Sequence, residues 1–213
     1  LKTMQLPQSV QNIGEFAYAF SGLQRADITA HVLNIGNGAF GACESLQEFA
    51  VSEENTAYSG SGNVLFDKYV QTVYCVAASA RDTYILPESV QIIAPYAFYY
   101  DKLLAGIVLP EGLQNIEHDA FYSCSGLSKI EIPSSVTNIG RKAFEECRKM
   151  TAVVFAKNSQ LQRLGIYTFV NCGLSSITIP ASVEKIAQYA FCNCYNLKSV
   201  RFESNSKLTY IAA

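Results

Sequence analysis

Hydrophobic and polar residues alternate over short stretches that end at a proline. In residues 127–132, LSKIEI, the alternation has the period of two that is typical of a strand with one buried face. We therefore expect Ile130 and Ile132 to point inward, with the charged residues between them pointing outward. Pro133 follows directly, and because proline has no backbone N–H to donate, it marks the end of the strand.

The residues that follow predict a crossing segment and then a tight turn. Val136 and Ile139, in VTNIG, supply two further apolar positions as the chain crosses the molecule. In RKAFEEC, the spacing of Ala143, Phe144 and Cys147 places them on one face of a short helical turn. Strand, crossing and turn together describe one coil of chain with a continuous apolar interior.

The same pattern occurs seven times, in the form L-x-x-I-x-I-P-x-x-V-x-x-I-x-x-x-A-F-x-x-C. Its aromatic position is occupied by Tyr18, Phe40, Phe98, Phe121, Phe144, Phe169 and Phe191. All but one of the intervals are 22 to 25 residues long, in the range of leucine-rich repeats and too short for helical hairpins or propeller blades. The sequence therefore predicts a leucine-rich repeat solenoid. We expect a right-handed β/α coil with short parallel strands on its concave face and short helical turns on its convex face.

One interval is 58 residues long and contains extra sequence. Within it, NVLFD and QTVYCV have the composition of two strands around a short turn, and the Ser/Gly-rich stretch SGSGN precedes them. We predict a β-hairpin insertion over residues 52–84, which leaves the solenoid at Val51 and rejoins it at Ile85. Residues 1–213 are otherwise predicted to form a single leucine-rich repeat domain.

The chain begins and ends inside a repeat. Leu1 occupies the first position of a unit, and Ile211 stands just before an expected Ala-Phe pair. A solenoid normally ends in terminal repeats that carry polar caps. Since this chain begins and ends inside a repeat instead, we expect it to be a fragment of a longer protein, in which a signal peptide could precede it.

The composition excludes several classes of protein. Hydrophobic residues make up 49% of the 213 positions, enough to bury a substantial core and to exclude general disorder. The formal charge is −2 and no long run of like charges occurs, so neither nucleic acid nor an anionic membrane surface is an expected partner. No stretch of about 18 apolar residues is present, so we expect no direct membrane insertion of this fragment.

These units closely resemble those of the BspA-like leucine-rich repeat family, also called the Treponema pallidum type. LPESVQIIAPYAF, IPSSVTNIGRKAF and IPASVEKIAQYAF nearly match its consensus, and AYSGSGNVLFDK is similar to its hairpin insertion. The match covers almost the whole chain, with local departures at Tyr18, Ser21, Asp101 and Thr168. The resemblance implies a bacterial or protozoan protein, secreted or on the cell surface, that adheres to host proteins or to other cells. It implies no enzymatic activity and no fixed binding residues.

Seven cysteines are present, and five of them share one repeat position: Cys43, Cys124, Cys147, Cys172 and Cys194. We interpret this series as small hydrophobic side chains that pack against the core. A disulfide between adjacent coils stays open as an alternative, since stacked strands lie about 4.8 Å apart and disulfides join Cα atoms about 4.4–6.8 Å apart. Cys75 and Cys192 lie outside the series, and we expect them to be the most reactive thiols.

Candidate catalytic and metal-binding chemistry is sparse. His31 lies in a crossing segment and His118 at a surface position, so a Cys-His dyad would need an accidental approach of two unrelated positions. Glu145 and Glu146 are predicted to face water rather than to act as an acid/base pair. No Gly-rich phosphate loop, His-Glu zinc motif or Gly-x-Ser-x-Gly elbow occurs. We therefore expect no catalytic residue, no cofactor and no metal site.

The concave strand face is the usual binding surface of a solenoid. Its outward positions form a mixed, lightly charged ladder without aromatic side chains, which does not favour a carbohydrate platform or a phosphate-binding stripe. The tyrosines gather on the turns and the insertion instead. The candidate binding residues on the concave face are Arg25, Asp27, Glu48, Val108, Lys129, Glu131, Val154, Ser176, Thr178 and Arg201.

The sequence favours a non-enzymatic protein-binding or adhesion module of a bacterial cell-surface or secreted protein. The expected partner is a protein of the host or of a cell surface. Seven in-register units with freely varying outward positions are the observation behind this hypothesis. A structural stalk that displays another domain is the alternative. A thiol enzyme or hydrolase is a distant third, and it would need a histidine close to an exposed cysteine in a cleft.

Overall fold

The computed structural model describes residues 2–77 and 83–212, and this part of the chain is built from twenty short strands. No helix is present among these residues. The strands in chain order are β1 (Thr3–Met4), β2 (Asn12–Ile13), β3 (Arg25–Ile28), β4 (Asn34–Ile35), β5 (Glu48–Val51), β6 (Tyr58–Ser61), β7 (Val64–Asp67), β8 (Thr72–Val76), β9 (Tyr84–Ile85), β10 (Ile92–Ile93), β11 (Ile107–Val108), β12 (Asn115–Ile116), β13 (Lys129–Ile132), β14 (Asn138–Ile139), β15 (Ala152–Phe155), β16 (Arg163–Leu164), β17 (Ser176–Ile179), β18 (Lys185–Ile186), β19 (Ser199–Phe202) and β20 (Tyr210–Ile211).

The strands form two series that run along the molecule. In the first series the paired neighbours are β1–β3–β5, β9–β11, β13–β15 and β17–β19. In the second, β2 pairs with β4. The seven even-numbered strands from β20 to β8 pair in order, and β7 and β6 follow β8 to complete a nine-stranded sheet. Pairing between coils is parallel and in register, with Ile130 opposite Val153 and Ile139 opposite Leu164. The predicted leucine-rich repeat solenoid is confirmed.

The C-terminal core contains a column of stacked rings, one from the aromatic position of each of its five coils. Phe98, Phe121, Phe144, Phe169 and Phe191 follow one another with ring centroids 4.7, 5.2, 5.5 and 5.8 Å apart and planes within 13° of parallel. The first four of these rings are fully buried. Stacking at these separations adds to the stabilisation that burial of the rings provides. Tyr18 and Phe40 form a separate stack in the N-terminal core, with centroids 5.7 Å apart, so ring stacking explains the recurrent aromatic residue in both cores.

The convex side of each coil is a turn with two left-handed residues, and the predicted helical turn is wrong. In the coil of Phe144, Lys142 has a φ of 59° and Glu146 a φ of 66°. Amides at these positions donate to carbonyl groups of the next coil instead of to carbonyl groups within the turn. The three bonds are Lys142 to Ile166, Phe144 to Thr168 and Glu146 to Val170, with N to O distances of 2.9, 3.0 and 2.9 Å.

The same two left-handed positions occur in all seven coils that carry the aromatic residue. Left-handed backbone costs an L-residue about 1–2 kcal/mol unless it is glycine, asparagine or aspartate. The hydrogen bonds between coils and the ring column offset this cost. The paired positions are Phe16 and Phe20, Gly38 and Ala42, Tyr96 and Tyr100, Asp119 and Ser123, Lys142 and Glu146, Tyr167 and Asn171, and Tyr189 and Asn193.

The insertion contains three antiparallel strands, where two were expected. β6 pairs with β7, and β7 with β8. Part of the SGSGN stretch, which was expected only to precede the strands, forms most of β6. β8 then pairs in parallel with β10, with Val73 opposite Ile93. The insertion therefore continues the second series of strands into the following coils.

Both faces of β7 are buried, so the insertion forms a partition inside the stack. Val64 and Phe66 pack into the core of the C-terminal coils, whereas Leu65 packs into the core of the N-terminal coils. A hairpin that projected from the solenoid would leave one face in water. Residues 78–82, which belong to the predicted insertion 52–84, lie outside the described residues.

Hydrogen bonds of a buried asparagine side chain join the insertion to the coil before it. Asn55 is 1% exposed. Its Nδ2 donates to the carbonyls of Thr29 and Val32 at 2.7 and 2.9 Å, and its Oδ1 accepts from the amides of Ala57 and Tyr58 at 2.9 and 2.8 Å. All four hydrogen-bonding positions of the side chain are therefore used, as a buried amide requires.

All seven cysteines are free thiols, and six of them are buried. Each of the five cysteines in the repeat position donates its Sγ–H to the carbonyl of the aromatic residue one coil earlier. These Sγ to O distances are 3.0 Å for Cys43 to Tyr18, 3.0 Å for Cys124 to Phe98, 3.2 Å for Cys147 to Phe121, 3.1 Å for Cys172 to Phe144 and 2.9 Å for Cys194 to Phe169. The series is thus a packing and hydrogen-bonding feature of the core.

Cys75 extends this series, so its predicted reactivity is wrong. Its Sγ lies 3.8 Å from the carbonyl of Phe40, and the side chain is 7% exposed. Burial raises the pKa of the Cys75 thiol far above its ordinary value, with a smaller contribution from Cys43. Only Cys192 is partly exposed among the seven.

Replacing Phe144 by alanine should lower the free energy of unfolding by about 3–5 kcal/mol, because it opens a cavity in the ring column. Urea unfolding followed by circular dichroism measures the change. Leu103→Ala, at a side chain that is 52% exposed, is the control and should cost less than about 0.5 kcal/mol. Equal effects of the two substitutions would contradict the ring column.

Replacing Ser123 by glycine should stabilise the protein by about 0.5–1 kcal/mol, because Ser123 has a φ of 59° and glycine adopts this backbone without strain. Ser125→Gly, two residues away and outside the left-handed positions, should have no effect or be destabilising. Urea midpoints of both variants test this. Destabilisation by Ser123→Gly that matches that of Ser125→Gly would be incompatible with a left-handed turn.

Stability should fall as the pH rises above the ordinary thiol pKa of about 8.5. Burial raises the pKa values of Cys124, Cys147 and Cys172 well above the ordinary value. Above that pH the unfolded thiols lose protons that the folded thiols keep, so unfolding becomes easier. Unfolding curves from about pH 7 to pH 10 should show a smaller loss in the Cys147→Ala/Cys172→Ala variant. An identical loss in that variant would show that these thiols are not the cause.

Candidate functional site

The first series of strands presents the predicted binding residues on one face. Strand alternation turns every second side chain of β3, β5, β11, β13, β15, β17 and β19 away from the core. All the candidates occupy such outward positions, and all are exposed or half-buried. They are Arg25, Asp27, Glu48, Val108, Lys129, Glu131, Val154, Ser176, Thr178 and Arg201.

The parallel register arranges these side chains in rows across the strands. Glu131 stands opposite Val154, and Thr178 stands opposite Arg201. Because paired strands are about 4.8 Å apart, neighbouring members of a row can contact one ligand together. Arg25 belongs to a separate sheet, β1–β3–β5, which the insertion divides from the later strands. The candidates therefore form an N-terminal group and a longer C-terminal group.

Charges on this face are largely paired with each other. Arg25 donates to Asp27 at 2.6 Å and also to Glu48, and Lys129 donates to Glu131 at 2.6 Å. The hydrogen bond with Asp27 is the largest cause that raises the pKa of the Arg25 guanidinium. Exposed ion pairs of this kind contribute little to stability. Their effect is to leave the face without a strong field of either sign.

A groove of about 670 Å³ crosses the C-terminal group at β11, β13 and β15. Val108, Lys129, Glu131 and Val154 line it, together with the small residue Gly106. Its size falls within the range of ligand-binding clefts. Four of the predicted residues thus surround one concave feature.

Ile85 belongs to the same face, although it is absent from the predicted set. It lies opposite Val108 in the β9–β11 pair and is 68% exposed. The sequence contains the signal, because Ile85 precedes Pro87 by two residues as Val108 precedes Pro110. Ile85, Val108 and Val154 together make the outward face apolar around the groove.

Each histidine has a polar side-chain partner, and neither partner is a thiol. Nδ1 of His31 is 3.1 Å from Oε1 of Gln8, and Nδ1 of His118 is 3.2 Å from Oδ2 of Asp119. The buried thiols of the cysteines in the repeat position donate instead to backbone carbonyl groups. Within residues 2–77 and 83–212, no group of three or more His, Cys, Asp or Glu side chains could hold a metal ion.

Glu145 and Glu146 are not solvated, contrary to the prediction. Their side chains are 14% and 19% exposed. Glu145 pairs with Lys142 at 3.1 Å, and Glu146 accepts from Arg148 at 2.7 Å and from Asn171 at 2.5 Å. The hydrogen bond from Asn171 to Glu146 joins the turns of adjacent coils, whereas the pairs with Lys142 and Arg148 lie within one coil.

The turn-side tyrosines mostly pack on one another. Tyr99 contacts Tyr96, Tyr100 and Tyr122, with ring centroids 5.1, 4.7 and 5.4 Å away. Burial is the main cause that raises the pKa of Tyr122 to about 12. These rings therefore stabilise the convex side rather than standing free for a ligand.

None of the described residues forms a helix long and apolar enough to cross a membrane. No protein with a curated description matches the chain.

Several solved structures share the fold. A leucine-rich repeat protein from Eubacterium ventriosum matches with a TM-score of 0.89 and 22% identity, over 100% of this chain and 63% of that one. A leucine rich cell surface protein from Faecalibacterium prausnitzii matches with a TM-score of 0.63 and 26% identity, over 96% of this chain and 54% of that one. The pneumococcal vaccine antigen PcpA matches with a TM-score of 0.59 and 19% identity, over 100% of this chain and 68% of that one. This chain thus spans less than two thirds of the first two proteins.

A model of the BspA type leucine rich repeat region matches the sequence in six copies. The matched residues are 1–66, 73–198 and 162–213, which together cover nearly all of the chain. The convex turns, the ring column and the paired strands are the structural form of this repeat. The chain therefore belongs to the BspA-type leucine-rich repeat family.

Proposed function

We propose that the chain is a non-enzymatic protein-binding module, part of a bacterial cell-surface or secreted protein that adheres to a host or cell-surface protein. The observation that carries the proposal is the groove on the concave face, which Val108 and Val154 line beside the outward Ile85. Exposed apolar side chains that cluster on a rigid face are typical of interaction sites.

The charges support a protein ligand over a polyanion. Lys129 is held by Glu131, so the described residues around the groove form no uncompensated basic stripe. A protein segment with an apolar side chain would cover Val108 and Val154, while its polar groups could contact the paired charges at the rim. No described residue gives the groove an aromatic lining, which does not favour a sugar as its main ligand.

The surface location rests on the family and on its relatives. The Faecalibacterium prausnitzii protein is described as a leucine rich cell surface protein, and PcpA as a vaccine antigen. Both descriptions agree with exposure to the outside of the cell. Buried thiols and paired carboxylates give the thiol-enzyme alternative no support among the described residues.

A rigid stalk is the second candidate, and the continuous ring column favours it. A column of rings less than 6 Å apart from Phe98 to Phe191 resists bending. A stalk gives no reason, however, for Val108 and Val154 to remain in water at 49% and 43% exposure. The two functions differ in what substitution of these residues should do.

The Val108→Asp/Val154→Asp variant should bind its protein partner at least about tenfold more weakly than the unmodified chain. The partner is first selected by surface plasmon resonance from a panel of purified extracellular-matrix and cell-surface proteins, at micromolar concentrations. Leu33→Asp/Leu103→Asp changes two equally exposed side chains away from the groove and should leave the affinity unchanged.

Failure of every panel protein to bind would favour the stalk. Equal weakening by the two double variants would remove the groove from the binding site. Circular dichroism of each variant establishes that the fold is intact before affinities are compared.

A further inference from the structure

The loop after Cys172 is shorter than the loops of the two neighbouring coils, and the difference creates a notch on the turn side. The loops at residues 147–150 and 194–197 each have two residues between the cysteine and the next apolar residue, whereas residues 172–174 have only Gly173. The longer loops are closed by hydrogen bonds from the amide of the last residue to the cysteine carbonyl, both 2.9 Å. The shorter loop lies between them and leaves an opening.

The notch has a volume of about 370 Å³. Gly173 forms its floor, where a Cβ would lie 2.5 Å from the carbonyl oxygen of Arg148, so a larger residue would not fit. The polar side chains that line it are Arg148, Asn171, Asn193, Tyr195 and Asn196. This size is near the lower end for a small-molecule site, and it suits a ligand of about one ring.

The electrostatics of the notch favour a neutral ligand. Nε of Arg148 donates to one oxygen of Glu146 at 2.7 Å, and Nδ2 of Asn171 donates to the other oxygen at 2.5 Å. The guanidinium charge is therefore matched by a carboxylate at the same place. An anion such as phosphate would meet no uncompensated positive charge.

The amides at the notch keep complementary hydrogen-bonding groups for a ligand. Asn171 uses its Nδ2 on Glu146, which leaves its Oδ1 as an acceptor. Oδ1 of Asn193 accepts from the hydroxyl of Tyr195 at 3.2 Å, which leaves its Nδ2 as a donor. Asn196 adds a further exposed amide. Donors and acceptors side by side are what pairs of hydroxyl groups require.

Backbone conformation accounts for the choice of asparagine at only two of these three positions. Asn171 and Asn193 have φ values of 56° and 57°, a conformation that asparagine adopts more readily than most residues. Their positions are thereby fixed before any ligand arrives. Asn196 is not among the left-handed residues, so no backbone requirement accounts for its amide.

Tyr195 supplies an uncovered ring at the rim. Its side chain is 88% exposed, more than any other large hydrophobic residue in the described part of the chain. Most turn-side tyrosines are packed against another ring, as Tyr167 is on Tyr189 at 5.1 Å. Within residues 2–77 and 83–212 no ring contact of Tyr195 is observed. Its π face can therefore accept the slightly positive C–H groups of a ligand.

We propose that this notch is a carbohydrate-binding site for a neutral pyranose. The ring of Tyr195 stacks on the C–H face of the sugar, and Asn171, Asn193 and Asn196 bind its hydroxyl or N-acetyl groups. The site lies on the convex side, so it is independent of the concave groove and of the protein partner proposed for it.

A nuclear magnetic resonance titration tests the site with methyl glycosides of glucose, galactose, mannose and N-acetylglucosamine. At least one should shift the amide signals of Asn193 and Asn196, with a dissociation constant in the millimolar range. Tyr195→Ala should weaken binding at least about tenfold, and Asn196→Ala should also weaken it. Tyr69→Ala, at a tyrosine that is 77% exposed in the insertion, should bind as the unmodified chain does.

N-acetylneuraminic acid and inorganic phosphate are the anionic comparators in the same titration. The proposal is overturned if no neutral glycoside shifts the notch signals, or if only the anions do. It is also overturned if Tyr195→Ala binds with unchanged affinity, because this side chain is too exposed for its loss to be masked by a folding defect.

Discussion

In five coils, those of Tyr18, Phe98, Phe121, Phe144 and Phe169, backbone amides on the convex side donate to carbonyl groups of the next coil, and the stacking of these coils depends on these bonds. They require left-handed backbone on both sides of each core aromatic, as at Lys142 and Glu146. They also fix the distance and register between coils, so that Phe144 stacks on Phe169. Strand pairing on the opposite side follows the same register. A coil without neighbours would lose these contacts. Its backbone entropy cost of folding, about 1–2 kcal/mol per residue, would then go uncompensated.

Register along the sequence was enough to predict the solenoid, the inward residues and the outward rows. It could not predict the turns, because Ala143, Phe144 and Cys147 share a face in a helix and also in the observed turn. Residue types gave only a partial signal, since Gly38, Asp119, Asn171 and Asn193 favour left-handed backbone but the other ten of the fourteen turn positions do not. The third strand of the insertion was missed because Gly60 and Ser61 have low strand propensity. Cys75 joined the core series through a contact with Phe40 that lies 35 residues away.

The two candidate surfaces differ in how they depend on the repeat. The concave groove comes from regular outward positions, so Val108 and Val154 could be identified by counting residues along the repeat. Ile85 could have been identified in the same way. The convex notch comes from an irregularity, the single residue Gly173 where the two neighbouring coils have two. Its lining is known only once the loops around Arg148 and Tyr195 are placed. In a repeat protein, regular positions build a surface and exceptions give it local chemistry.

The donor and acceptor of each hydrogen bond on the convex side can be identified directly. Couplings across hydrogen bonds, measured by nuclear magnetic resonance on the isotope-labelled chain, link an amide nitrogen to the carbonyl carbon that accepts from it. We expect the nitrogen of Phe144 to couple to the carbonyl of Thr168 in the next coil. Coupling to the carbonyl of Gly140, four residues earlier, would indicate a helical turn and would contradict the arrangement on which the fold depends.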